Sequence, residues 1–407
     1  MPNNTITAIG IIAEYNPFHN GHLHQIELAK REFPGCPVIC VMSGNFVQRG
    51  EPAIWNKFVR ARAALICGAD MIIELPLPFA TSSAEYFSYY AVQLLDSLGF
   101  VAHLCFGSET GDIETLETAA KMLLSESTEF KTHLKKRLAE GHSYPLARHM
   151  TLAHLAPEVS DAIKTPNNIL GIEYIKALSR LDSKIKPFVI KREGESYHSE
   201  DYTKKLSSAT AIRTALRAGH KELAGIPEAL VPLYKEHIEL GSFHDFDNLS
   251  TILQYIVKTR APEELAGIMD IDEGLHNGII DACGSEKYIS GILSRLKSKR
   301  YAYTRLSRAL LHIVLDITKD DFQEFCVSAP HYVRVLGFRK KWECLFSHIE
   351  AEAAIPIVTN LKNHRDVLPK LSRKLLEKEI LSTDIYNLSG TDSYSKNAEF
   401  SESIIVV

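Results

Sequence analysis

The sequence predicts an α/β protein: a Rossmann-like, doubly wound parallel sheet followed by a mostly helical C-terminal part. Three observations carry that expectation. Short, wholly apolar runs alternate with stretches of helical spacing over the first hundred residues; one more such run stands near residue 190; and the alternation is absent beyond about residue 220. Strands apolar on both faces belong to parallel sheets covered on two sides, and right-handed crossovers wind such a layer.

Thr7–Ala13 (TAIGIIA) is long enough only for a buried strand. From Gly21 to Phe33, Leu23, Ile26, Leu28 and Ala29 recur at helical spacing. Pro37–Met42 is the second strand and Trp55–Cys67 the second helix. Asp70–Leu75, closed by Pro-Leu-Pro, is the third strand, and Ser83–Leu98 the third helix. Val101–Phe106 is the fourth strand, ending at Gly107-Ser108-Glu109. Residues 112–182 read as largely helical, with a final helix over Asn167–Leu181 behind Pro166, a start signal. Lys186–Lys191 (KPFVIK) is a fifth strand of the same sheet, and Ser207–Ala218 a capped helix. Gly219–Pro227 marks a boundary, dividing the chain into residues 1–218 and 219–407. The second part reads as helical to about Ile380; its terminal Ile404–Val407 either docks as a strand or frays.

The composition narrows the class. With 407 residues, 45% hydrophobic, 24% charged and a net charge of −4, the chain is an ordinary globular protein of two domains, not a disordered one. It has no apolar run of about 18 residues, so no membrane span is expected. No basic stretch precedes the apolar N-terminal run, so neither is a secretory signal. Seven cysteines stand singly, without a CxxC pair, which implies free thiols in a reducing, cytoplasmic compartment. No run of His, Cys or Asp has the spacing of a protein-held metal.

The chemistry gathers at strand ends. His19-Asn20-Gly21-His22 lies between the first strand and the first helix, where unpaired helical N–H groups and the positive dipole end favour an anion. Imidazole N–H groups add donors for phosphate oxygens, and Gly21 removes a side chain that would block close approach. Further on, Ser207-Ser208-Ala209-Thr210-Ala211-Ile212-Arg213 places hydroxyls at a helix start with an arginine about one turn later, a cradle for a polyphosphate. Which of Ser207 and Ser208 faces phosphate is left open. Lys57 is a second-rank phosphate contact; its plainer reading is a lysine on a solvated helix face.

Together, HNGH and SSATAIR resemble the signatures of the HIGH superfamily of nucleotidylyltransferases. The longer GIIAEYNPFHNGHLHQ, with GNFVQRGEPAIWNKF, ELPLPFA, CFGSE, TPNNILGIEYIKAL and YHSEDY, is similar to the bacterial tRNA(Met) cytidine acetate ligase family. The similarity runs through essentially the whole chain, most densely over residues 9–215; beyond them it rests on YTRLSRALLHI and YVRVLGF. It implies an ATP-dependent ligase that activates acetate as acetyl-adenylate and acetylates N4 of the wobble cytidine of elongator tRNA(Met). It also implies nucleotide contacts along Ile12, Ala13, Glu14, Tyr15, Asn16, Pro17, Phe18, His19, Asn20, Gly21, His22, Leu23, His24 and Gln25, and at Gly107, Asn168 and Arg192. The residues suit those roles: Gly107 ends a strand with bare backbone, Asn168 sits in a first helical turn, and Arg192 leaves a strand toward the same crevice.

In that chemistry His19 and His22 sit on the phosphates, and Arg213 with Ser208 and Thr210 holds the β/γ end, with Mg²⁺ neutralising the leaving pyrophosphate. Glu14 and Glu109 are both at hand as a base for the cytidine amine, and the sequence does not choose between them. Despite the negative net charge, residues 287–343 hold twelve Lys and Arg against five Asp and Glu. There Arg300, Arg305 and Arg308 interleave with Tyr301 and Tyr303, and Arg334, Arg339, Lys340 and Lys341 lie near Tyr332, Phe338 and Trp342. Cations for phosphates and aromatics for splayed bases are what single-stranded RNA recognition uses. Two other functions fit parts of the chain: a small-molecule nucleotidylyltransferase, and a non-catalytic RNA-binding protein.

Overall fold

The computed structural model of the chain describes residues 6–142, 144–160, 162–192, 208–220, 224–298, 301–327, 329–353, 355–390 and 398–407. β1 (Ala8–Ala13) and β2 (Val38–Ser43) come first. A short hairpin of β3 (Phe46–Val47) and β4 (Glu51–Pro52) follows, then β5 (Met71–Leu75), β6 (Val101–Ser108) and β7 (Lys186–Lys191). The five runs read as strands in the sequence are β1, β2, β5, β6 and β7, and they pair in parallel in the order β5-β2-β1-β6-β7. Successive side chains take opposite faces. Ile9, Ile11, Cys40, Met42 and Ile72 pack with Ile26, Ala29 and Leu65 on one side. Ile39, Val41, Ile73 and Leu104 pack with Phe87, Ala91, Leu95 and Tyr174 on the other. The chain moves outward from β1 to β5, then returns to lay β6 on the far side of β1. Ligands in doubly wound sheets bind outside the carboxyl ends of the strands at such a reversal.

The C-terminal part is not wholly helical. It contributes β8 (Val333–Phe338), β9 (Ile357–Val358) and β10 (Ile405–Val406) to the same sheet. β8 runs antiparallel to β5, with Phe338 opposite Met71 and Arg334 opposite Glu74. β9 and β10 pair with β8, so the terminal Ile405 and Val406 dock as a strand. The sheet therefore crosses the boundary drawn at residue 218. Arg334 is expected from the sequence to contact RNA, yet all six residues of β8, Arg334 among them, are buried.

A buried set of charges fastens the two parts. Lys57 is fully buried on the helix Lys57–Ile66 and meets Glu74 at 2.6 Å and Glu399. Arg334 meets Glu74 at 3.2 Å and Glu399. Lys57 is thus neither a phosphate contact nor a solvated lysine. Burial pushes the Glu399 carboxyl up, but Arg334 and Lys57 outweigh it and hold the group well below the usual range. Burial and the neighbouring Glu74 push the Glu379 carboxyl well up, and it accepts from the Leu77 N–H. Two cations, Lys57 and Arg334, thus meet two carboxylates, Glu74 and Glu399, and buried charges are tolerated only in such pairs.

The helix Tyr303–Leu315 is the other fastening. Ser307 Oγ donates to the Gly50 carbonyl at 2.8 Å, and His312 Nε2 lies 3.1 Å from the Thr81 carbonyl oxygen. Gly50 has φ +81°, and a Cβ there would lie 2.4 Å from the Arg308 nitrogen, so only glycine lets the hairpin turn meet this helix backbone to backbone.

The ion set gives a test of stability. Arg334→Met leaves Glu399 and Glu74 with Lys57 alone, and breaking a buried pair costs about 3–5 kcal/mol. Urea unfolding should register a loss of that order; unchanged stability would mean that Arg334 is not part of the interior.

Candidate functional site

A cleft of about 410 Å³ opens beyond the carboxyl ends of β1 and β6, a volume suited to a nucleotide-sized ligand. From the span 12–25, Ile12, Ala13, Glu14, Tyr15, Asn16, His19, His22 and Gln25 line it. Pro17, Phe18, Asn20, Gly21, Leu23 and His24 do not; Phe18 is buried in the core behind the loop. Gly107, Arg192, Ser208, Thr210 and Arg213 also line it, as do Gln48 and Arg49 of the hairpin turn and Thr304 of the C-terminal part.

The histidines are held by the helix that they begin. His19 is the N-cap of the helix Asn20–Glu32, and its Nδ1 accepts from the Gly21 N–H at 3.0 Å. His22, three residues on, accepts from the His19 N–H through Nδ1 at 3.3 Å. The two side chains form a capping box made of imidazoles, stacked with ring centroids 3.8 Å apart. Each Nδ1 is an acceptor, which assigns the proton of each ring to Nε2. Burial, with Arg192 and Arg213 nearby, pushes His19 down to about 3; burial, His19 and Arg192 push His22 well below its usual range. Both rings are neutral at pH 7, each with one N–H left to donate. Gly21 serves this arrangement differently from the sequence expectation: a Cβ there would lie 2.9 Å from Cε1 of His19, so the glycine makes room for the histidine ring.

Tyr15 turns the chain into this loop with φ +49°, a left-handed backbone rare outside glycine and a feature that concentrates at functional sites. Its ring packs edge-on to His22 at 4.9 Å. The Asn16 side chain accepts from the Ile54 N–H at 2.8 Å, and its carbonyl accepts from Arg213 Nη1 at 2.8 Å. Arg213 also lies 3.3 Å from Glu51 and reaches Thr210 Oγ1 at 3.4 Å. Ser208 caps the helix Ala209–Arg217, its Oγ accepting from the Ala211 N–H at 3.1 Å. Ser207 and the YHSEDY motif lie outside the described residues.

Asn168 stands one layer behind the cleft. Its Oδ1 accepts from Ser108 Oγ at 2.6 Å and the Glu109 N–H at 2.9 Å, fixing the turn after β6, while Asn167 forms the wall. The Asn168 amide nitrogen, fully buried, has no partner among the described residues. Glu109 accepts from Thr165 Oγ1 at 2.9 Å, the Asn168 N–H at 3.0 Å and Asn167 Nδ2 at 2.7 Å. Its carboxylate is committed to the start of the helix Pro166–Arg180. Glu14 instead faces the cleft; burial pushes its carboxyl up, against Arg49 and the Gln48 N–H at 2.8 Å.

One functional residue escaped the sequence reading. Arg60 is fully buried and donates to the carbonyls of Trp55 at 2.9 Å, Ser43 at 3.2 Å, Glu14 and Gly44. Its only signal is a charge inside an apolar helical stretch.

The expected RNA contacts divide. Arg334 is interior, as described, and Arg308 is buried with Nε 2.8 Å from Asp270, so neither cation presents itself to RNA. Arg305 is half-buried, 3.0 Å from Asp272 and 5.3 Å from the Tyr301 ring. Arg300 lies outside the described residues. Lys340 and Lys341 are exposed and Arg339 half-buried. All three follow Phe338, which pairs with the first residue of β5, and so stand at the sheet edge opposite the cleft.

The family model for HIGH Nucleotidyl Transferase matches residues 6–401. A tRNA(Met) cytidine acetate ligase of Halothermothrix orenii is 41% identical over 93% of this chain and 94% of the relative. One of Acetivibrio thermocellus is 38% identical over 98% and 99%. The crystal structure of apo Thermotoga maritima TmcAL superposes with a TM-score of 0.92 at 31% identity, over 99% of this chain and all of that one. The same protein bound with alpha-thio ATP superposes with a TM-score of 0.90.

The neutral histidines make stability depend on acid. His19 titrates near 3 in the folded chain against 6.5 when unperturbed, so the unfolded chain binds more protons below about pH 6.5 and stability falls as pH drops from there. His19→Asn keeps a capping side chain and removes this group. Its urea midpoint should fall less between pH 7 and pH 5 than that of the wild type; equal falls would show that His19 is not held neutral.

Proposed function

The chain belongs to the HIGH nucleotidyl transferases, in the tRNA(Met) cytidine acetate ligase family, and from that premise we propose that it joins acetate to ATP as acetyl-adenylate and passes the acetyl group to N4 of the wobble cytidine of elongator tRNA(Met). It is a ligase. The observation that carries the finer reading is the pair of neutral imidazoles, each with an Nε2–H donor, at a helix N-terminus inside a cleft that also holds Arg192 and Arg213. The TmcAL structure with alpha-thio ATP, alike in fold over its whole length, supports a triphosphate there.

In this proposal acetate oxygen attacks the α-phosphorus and pyrophosphate leaves. His19 and His22 donate to phosphate oxygens, and Arg213 with the Ser208–Thr210 helix start holds the β/γ end. Fixed donors need no reorganisation as charge shifts toward the leaving group. Mg²⁺ carried in on the triphosphate, as part of that substrate, would lessen the charge of the pyrophosphate beside Arg213 and the Ser208–Thr210 helix start. The cytidine N4 then attacks the acetyl carbon, AMP departs, and Glu14 takes the amine proton, since Glu109 is committed to a helix start.

RNA contacts at Arg339, Lys340 and Lys341 would lie one sheet depth from the chemistry, about 17–20 Å for strands of five or six residues. We propose that they hold backbone phosphates of the tRNA away from its reacting base.

Acetate-dependent ATP–pyrophosphate exchange without tRNA tests the first step. It should occur in the wild type and fall at least about 10²-fold in His22→Ala, the loss of one charge-stabilising donor being worth about 2.7–4 kcal/mol. Full exchange in a folded His22→Ala protein overturns the phosphate assignment, and exchange with a phosphorylated metabolite in place of acetate overturns the ligase reading.

Replacing Arg339, Lys340 and Lys341 together with Gln should leave exchange near wild type and weaken tRNA binding. Each true phosphate contact removed flattens the log–log salt dependence by about one. An unchanged affinity and slope would leave these cations as partners of their neighbours Asp70 and Glu343 alone.

A further inference from the structure

We infer that Tyr303 is the platform on which the acceptor base of the RNA stacks as it enters the nucleotide cleft, with Tyr288 as a second platform for a neighbouring base. The inference rests on the function proposed above and adds where the RNA strand runs.

Tyr303 opens the helix Tyr303–Leu315, and its neighbour Thr304 lines the cleft. The helix cannot drift away from that position. One turn later Ser307 and Arg308 meet the Gly50 turn at backbone contact, and the same turn carries Gln48 and Arg49 into the cleft. One turn further, His312 lies against Thr81. The helix face bearing residues 304, 308 and 312 is therefore seated on the nucleotide half of the molecule, and Tyr303 is carried to the mouth of the cleft. Tyr303 is left 54% exposed, so an aromatic face beside the cleft is open to a ligand.

Glu51 ties this ring to the catalytic end of the cleft. The carboxylate lies 3.3 Å from Arg213, and it is close enough to Tyr303 to help burial raise the phenol pKa, as is Asp247. Asp247 leads on to the second ring. It accepts from the Ser290 N–H at 2.7 Å and from Ser290 Oγ at 2.6 Å, two residues from Tyr288. Tyr288 is 51% exposed, with the Lys287 ammonium 5.3 Å from its ring. The track from the cleft thus runs Thr304, Tyr303, Asp247, Tyr288. One exposed ring beside the nucleotide site and a second farther along, with a lysine beside it, match the chemistry of a single-stranded nucleic acid, whose bases stack on aromatics while cations take the phosphates. A buried peptide partner would need a continuous apolar surface, and here carboxylates separate the rings.

The test uses the full chain, an unmodified tRNA, and an anticodon-loop oligoribonucleotide carrying pyrrolocytidine at the acceptor position, whose fluorescence is quenched by stacking. Tyr303→Ala should leave acetate-dependent exchange within about twofold, weaken RNA binding by about tenfold, and abolish most of the quenching. Tyr303→Phe should restore both RNA readouts, because the ring and not the hydroxyl makes the platform. Wild-type binding and quenching by Tyr303→Ala overturn the inference, as does a Tyr303→Phe protein that fails like Tyr303→Ala. A wild type that quenches the probe but shows no acetate-dependent exchange overturns the proposed reaction and supports the platform; a wild type that exchanges without quenching overturns the platform alone.

Discussion

The cleft depends on one buried cation that never touches it. Arg60 gathers the carbonyl oxygens of Glu14, Ser43 and Gly44, from the ends of β1 and β2, and of Trp55, from the approach to its own helix. Burial lowers its pKa, opposed by Tyr386 and by acidic neighbours including Glu14. Three of these carbonyls stand at strand ends and one ahead of a helix, and a guanidinium is the one side chain with enough donors in a fixed plane to meet them together. Fixing the Glu14 carbonyl fixes the start of the left-handed turn at Tyr15. That turn aims the chain at His19, and the capping box does the rest. The position of the donor pair is therefore a consequence of a hydrogen-bond account settled one layer below.

The same logic joins the two parts of the chain. Lys57 and Glu74 belong to the first 218 residues and are buried as a pair. Arg334 on β8 and Glu399 near the C-terminus complete the set, and Asn45, whose Oδ1 accepts from the Lys57 N–H at 2.8 Å, carries the network to Thr383 at 2.9 Å. Each part holds one pair of its own, Lys57 with Glu74 and Arg334 with Glu399, and the cross pairs Lys57 with Glu399 and Arg334 with Glu74 bind the two into one set, so separating the parts exposes both pairs along a face built to be buried. The helix Tyr303–Leu315 exploits that rigidity, resting on the Gly50 turn and so placing residues of the second part at the rim of the first.

What was legible in the sequence was local. Strand runs such as TAIGIIA and KPFVIK, the HNGH loop and the SSATAIR helix start declare themselves through period, length and punctuation, and all fall at or beside the cleft. Partnership was not legible. Lys57 looks like any lysine on a helix, and nothing near it in the chain reveals Glu399, more than three hundred residues on. Arg334 and Arg308 share a stretch with Arg339 and Lys340 and look alike in composition, yet the first two are interior and the last is exposed, because β8 places Arg334 opposite Glu74. Asn168 shows a finer limit. A one-residue step along a helix turns a side chain by about 100°, enough to put Asn167 in the wall and Asn168 behind it. Gly21 was recognised as necessary, but the group that needs its missing Cβ is His19.

The neutral state of the histidines divides the work of the site. A charged imidazole would add attraction for phosphate but would lose the acceptor lone pair on Nδ1, and with it the backbone bond that aims the ring. Holding both rings neutral keeps the aim, while net positive charge comes from Arg192 and Arg213, whose guanidinium groups do not titrate near neutral pH. Those same arginines are among the groups that push the histidines down. Direction and charge are thus assigned to different side chains that reinforce one another: burial and the arginines keep the imidazoles neutral, the neutral imidazoles keep accepting from the backbone N–H groups, and the helix N-terminus keeps both rings over the cleft.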